Sequence, residues 1–292
     1  MGCHRGSLFC LYSRNMIYLN QYYILALRNR SDSMALDKKK AIGRVTAVFI
    51  ISIVIWRLML LFFGGAALGE DIFRHIAAGI FTSVLVCILI FAIDHIEKKK
   101  MALSWNIFFG NLKGFGSGFL CWIIPAVISI SIFAIAGFVT IQPQVSSATL
   151  ISQAFILFAA VFLIEAFPEE IIRGYIFSSL EEHYSPWVAL FVQTVLFTLF
   201  AFFIGSLYSQ EQLLFIPGFG FLLGYFRMLS RSISFSMGFH AALMTFTQLL
   251  APSRQLLEAN GSFFVLRFLS FVLLPAIFSS VILHLKMERS KV

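Results

Sequence analysis

Charge is the first thing this chain is short of. Only 12% of its 292 residues are charged and 59% are hydrophobic, whereas soluble domains carry about 25% charged residues. That shortage excludes an ordinary cytosolic enzyme and a disordered tail. Cysteine is scarce as well. Cys3, Cys10, Cys87 and Cys121 form no CxxC pair and no metal-ligand spacing. This excludes a secreted disulfide scaffold and leaves the four thiols as small apolar side chains. Acids number 14 against 22 Lys and Arg, for a formal net charge of +8. In a soluble protein that excess would point to nucleic acid. Here the positives, as in Lys38, Lys39, Lys40 and Lys98, Lys99, Lys100, flank apolar runs. That is the pattern of anchors facing anionic lipid, so the expected partner is the bilayer and not nucleic acid.

What the chain has in quantity is apolar sequence, including 35 Phe. A membrane-spanning helix needs about 20 such residues. Eight segments qualify as candidates, at about 45–67, 75–93, 118–139, 149–167, 187–207, 213–226, 233–250 and 262–285. The expected fold is therefore all-α, a multi-pass integral membrane protein with about eight transmembrane helices. An even count with Lys38, Lys39 and Lys40 inside puts Lys98, Arg173, Arg227, Arg231 and Lys286 inside too, so both termini are expected in the cytoplasm. The sixth segment is short and interrupted by Pro217, Gly218, Gly220 and Gly224, and needs neighbours to satisfy its backbone. Residues 101–116 mix Trp105 and Phe108 with polar residues and suggest an interfacial helix. Residues 1–43 form an N-terminal cytoplasmic segment whose apolar part, 16–27, is too short to span. Met34, ahead of Ala-Leu-Asp-Lys-Lys-Lys, or else Met16, is the expected translation start.

Ionisable residues inside spans are functional candidates by default. Glu165, Glu169, Glu170 and Arg173 cluster where the fourth span meets the cytoplasmic side. On an unbroken helix 165, 169 and 173 share a face, and a Glu169–Arg173 ion pair is expected to staple the helix end. Pro168 alternatively opens a new helical turn with Glu169 and Glu170 at its N-terminus. His240 lies in the seventh span, in SMGFHAALMTF, and is expected to be buried with at most one carboxylate partner. Arg57, near the middle of the first span, needs an acidic or carbonyl partner, for which Glu165 is one candidate.

These pieces carry a resemblance. PEEIIRGYIFSSLEEHYSPWVALFVQTVLFTLFAF, followed by GFGFLLGYFRMLSRSISFSMGFHAALMTF, resembles the successive motifs of the CPBP family of CAAX-protease and bacteriocin-processing (abortive infection) proteins. Those motifs are an EExxxRG helix, a span ending in FxxxH, a Gly-rich span with a basic turn, and an HxxxN helix. The resemblance covers about 149–252, with 44–148 as preceding spans and 253–292 as a last span and basic tail. It implies a bacterial cell membrane and an intramembrane endopeptidase resembling type II CAAX prenyl endopeptidases. In such a site a motif Glu activates water, while histidines and an asparagine stabilise the oxyanion or bind a metal.

Counted back from Arg173-Gly174, the family's first Glu falls on Pro168 and its second on Glu169. The FxxxH histidine is Ala201 and the HxxxN asparagine is Met244, leaving Glu169, Glu170 and His240 as catalytic candidates. Neither Ala201 nor Met244 donates a hydrogen bond, and losing one oxyanion donor costs roughly 10²–10³ in rate. A catalytic zinc wants three protein ligands. His240 with one Glu leaves the third unaccounted for, so zinc is expected only if the site is active. The expectation is weakened or lost catalysis and a peptide- or partner-binding, immunity-like role. The alternatives are a residual protease using Glu169 or Glu170 with His240, and a small-molecule transporter, against which no inverted repeat is evident.

Overall fold

The computed structural model describes residues 8–64, 71–97, 112–206, 210–262 and 264–289. Two compact units are distinguished, Met1–Val45 and Thr46–Val292. In the first the backbone is helical from Leu8, with Lys39 and Lys40 exposed. The second carries everything discussed below.

The helices are α1 (Leu8–Phe63), α2 (Ile72–Glu97), α3 (Leu112–Ile135), α4 (Ser147–Val161), α5 (Phe167–Glu181), α6 (Pro186–Ile204), α7 (Gln210–Ser230), α8 (Ile233–Leu249) and α9 (Leu274–Arg289). A π-helical turn, Phe162–Ala166, joins α4 to α5, and a longer π-helical stretch, Phe264–Leu273, leads into α9. Among the described residues, six helical runs are long and apolar enough to cross a membrane: Leu36–Phe63, Ile72–Ile96, Leu112–Ile135, Ser147–Glu181, Pro186–Ile204 and Val265–Arg289. Their outward faces carry exposed Ile, Leu, Val and Phe, such as Phe91, Ile132, Phe155 and Phe202. A helix that is apolar on its exterior as well as its interior is solvated by lipid. The protein is a multi-pass membrane protein. Of the eight expected crossings, two are shorter helices: Phe215–Ser230 within α7, and α8 with 17 residues.

α8 is the buried centre. Its side chains from Ile233 to Leu243 are all buried, and it packs most extensively on α3. The sequence explains this: Ser234, Ser236, Gly238, Ala241 and Ala242 keep its surface small, so neighbouring backbones approach closely. Trp122, Phe226, Phe235 and Phe239 fill the space around it.

The third expected span was drawn to 139, but α3 ends at Ile135. Gly137, at φ 77°, turns the chain into strand β1 (Val139–Pro143), which pairs antiparallel with β2 (Leu257–Gly261), Val139 opposite Gly261. The β-branched alternation of Val-Thr-Ile extends an apolar run past the helix it was assigned to. Residues 101–111 of the expected interfacial helix lie outside the described residues, and Leu112 onward belongs to α3. At the sheet end Arg254 donates to His75 Nδ1 at 3.4 Å, and partial burial lowers the Arg254 pKa.

Two prolines leave backbone carbonyls without a helical donor, and neighbouring helices supply one each. Pro275 has no N–H, so the Phe271 carbonyl four residues earlier loses its partner. The Trp122 indole donates to it at 2.9 Å. Pro168 follows the π-helical turn, and Ser83 Oγ on α2 donates to the Leu163 carbonyl. Trp122→Phe keeps an aromatic ring, smaller than the indole, and removes the donor. It is expected to lower stability by about 1–3 kcal/mol, the cost of a buried unsatisfied carbonyl, read as a drop in unfolding midpoint in detergent.

Candidate active site

The site begins with Pro168. It stands at the start of α5, where proline is well tolerated, and the preceding π turn places Glu169 and Glu170 in the first turn of that helix. Successive residues point about 100° apart on a helix. Glu170 therefore faces α8, while Glu169 faces α6.

Glu170 is 1% exposed and fully engaged. Arg173 Nη1 donates to its Oε1 at 2.9 Å, Ser236 Oγ donates to its Oε2 at 2.7 Å, and His240 Nδ1 lies 3.3 Å from Oε1. An aromatic wall closes this centre. The Phe219 ring meets His240 edge-on with centroids 5.0 Å apart, and the Arg173 guanidinium sits 5.0 Å from the Phe197 ring centroid. Arg173 thus has a carboxylate on one side and a π face on the other, both favourable for a buried cation.

The expected Glu169–Arg173 pair is replaced by Glu170–Arg173. Residues three apart are as close on a helix as residues four apart, and α8 lies on the Glu170 side with its hydroxyl and imidazole. Glu169 instead lines a cavity of about 20 Å³ with Ser52, Arg173, Gln193 and Phe197. Such a space holds about one water. The Glu165 carboxyl in the π turn has Oε2 buried without a hydrogen-bond partner. Arg57 is exposed on α1 and does not reach it, so that expected contact is absent among the described residues.

Ala201 is buried on α6, next to Phe200, whose ring packs edge-on against Trp56 at 4.9 Å. Met244 packs on the aromatic core around Trp122 and Phe219. Phe197 and Phe200 line the small cavity, while Phe239 packs on Phe226 in the core. Among the described residues, no group of three His, Cys, Asp or Glu side chains is gathered to hold a metal ion. Glu170 and His240 face each other, and Ser236 and Arg173 take the remaining oxygen positions. This donor set does not fit zinc.

Ser236 and Gln193 were missed in the sequence. Ser236 precedes His240 by four residues and so shares its face. Gln193 is a polar residue in an apolar helix, four and eight residues before Phe197 and Ala201. It is 1% exposed, with Nε2 3.5 Å from the Gly220 carbonyl.

The sequence model of type II CAAX prenyl endopeptidase Rce1-like proteins matches residues 151–246. That third of the chain is the run from α4 to α8, which carries Glu165, Glu169, Glu170, Arg173, Gln193, Ser236 and His240. The resemblance expected from the order of the motifs is thereby found. No curated protein matches the chain.

Proposed function

We propose that this Rce1-like membrane protein uses its inherited site as a closed binding centre for a peptide or membrane partner, with hydrolysis weakened or lost. The observation that carries the reading is the saturation of Glu170 by Arg173, Ser236 and His240. A general base must reach the proton it abstracts, and three of about four acceptor positions of this buried carboxylate are already taken. Apolar side chains at Ala201 and Met244 stand where the family places hydrogen-bond donors for a developing oxyanion. The positive-inside distribution of Lys and Arg supports eight crossings with cytoplasmic termini, which puts the Arg173 end of the site on the cytoplasmic side.

A second reading is residual intramembrane hydrolysis at Glu169, favoured by the water-sized cavity beside it. One experiment separates the two. Purified protein is incubated with a farnesylated CAAX peptide, and both cleavage and peptide retention are measured for wild type, Glu169→Gln, Glu170→Gln and His240→Ala. The binding reading expects retention without turnover. Turnover in the enzymatic range of about 1–10³ s⁻¹, abolished in Glu169→Gln, would replace it with the second.

A further inference from the structure

At the opposite end of α8 from Arg231, the β1–β2 sheet roofs a second and much larger cavity, of about 630 Å³. That is the size of a small-ligand site. Its walls come from the connector after β1, the end of α8, strand β2 and the first turns of the π-helical stretch leading to α9. Leu250, Leu257 and Leu266 supply an apolar side, and Glu258 and Arg267 bring opposite charges to the same space.

The carboxylate is held in place. Gln144 Nε2 donates to Glu258 Oε2 at 2.8 Å, and Asn260 Nδ2 donates to Oε1 at 3.1 Å. One amide from the connector after β1 and one from β2 thus fix its plane, while an ionised carboxylate with about four acceptor positions keeps room for a ligand ammonium. Gln255, which also lines the cavity, sits at φ 51°. A non-glycine residue in that region is strained, and such strain concentrates at ligand sites. Arg267 lies in the first turns of the last membrane-crossing run, with exposed Phe268 beside it. The cavity therefore sits where lipid headgroups meet the ends of the spans.

We propose that this cavity binds the headgroup of an aminophospholipid. The Glu258 carboxylate accepts hydrogen bonds from the primary ammonium, Arg267 pairs with the phosphate diester, and the acyl chains run out over the apolar side toward Phe268. A guanidinium suits phosphate as a planar donor fork. A primary ammonium offers three N–H donors to a fixed carboxylate, whereas a trimethylated one offers none.

The test is native mass spectrometry of the full chain, released from detergent after incubation with equimolar phosphatidylethanolamine, phosphatidylcholine and phosphatidylglycerol. The expected result is retention of phosphatidylethanolamine at least tenfold over the other two. Glu258→Gln and Arg267→Gln, both at exposed positions, are each expected to reduce that adduct at least tenfold without moving the unfolding midpoint. Equal retention of the three lipids would overturn the assignment. So would an adduct unchanged in both variants, or binding of free phosphoethanolamine or a dipeptide with no lipid adduct.

Discussion

Glu170→Ala is expected to destabilise the protein by about 3–5 kcal/mol, the cost of breaking a buried ion pair from one side. The removed carboxylate leaves the buried Arg173 guanidinium without its ion-pair partner, and strips Ser236 and His240 of their shared acceptor. The loss is one of compensation more than of attraction. Replacing both partners, Glu170→Leu with Arg173→Met, is accordingly expected to cost much less than the two single changes together. Glu169→Ala, facing the small cavity, is expected to cost far less than Glu170→Ala. Unfolding midpoints of Glu169→Ala, Glu170→Ala, Glu170→Leu, Arg173→Met and the double variant in one detergent provide the check. Equal losses for Glu169→Ala and Glu170→Ala would contradict the geometry, because Glu169 makes no ion pair with Arg173 among the described residues.

The same pair marks how far the sequence reads. Scarce charge and repeated apolar runs are enough to specify a helical membrane protein, since each run has one way to satisfy its backbone in lipid. The order of the Glu, Arg and His segments is enough to locate 149–252, within which the family match of 151–246 falls. Spacing alone does not decide which Glu meets Arg173. That choice depends on rotation about the α5 axis, and so on the π turn before Pro168, which no periodicity announces. Ser236 escaped for a different reason. Hydroxyls in spans commonly bond a carbonyl of their own helix, as Ser52, Thr82 and Thr245 do here with Val48, Ala78 and Ala241. Ser236 Oγ also lies 3.0 Å from the Ile233 carbonyl of its own helix, and a serine that in addition serves a carboxylate on another helix carries the same letter. The β1–β2 pair was hidden by its own hydrophobicity, because Val139 and Ile141 continue the apolar composition of α3.

Gly118→Ala and Gly238→Ala are expected to lower stability by about 1–3 kcal/mol each, the usual cost of overpacking a tight core. A Cβ on Gly118 would overlap the Phe235 carbonyl oxygen of α8, and a Cβ on Gly238 would overlap the Phe115 carbonyl oxygen of α3. The contact is thus reciprocal, glycine to backbone in both directions, and neither carbonyl can rotate aside as a flexible side chain would. The helices must separate, and the aromatic core that includes Trp122 and Phe239 must open with them. Separation also moves α8, which carries Ser236 and His240, relative to Glu170 on α5. The functional consequence is a weaker coupling between Glu170 and Ser236, measurable as a smaller interaction energy in a double-mutant cycle performed in the Gly118→Ala background. Gly116→Ala supplies the control. Nothing lies within 4 Å of a Cβ there, and alanine is about 1 kcal/mol better than glycine inside a helix. That change is expected to leave stability equal or improved while its neighbour two residues away is destabilised. Equal effects at 116 and 118 would show that backbone propensity, and not the α3–α8 crossing, sets the cost.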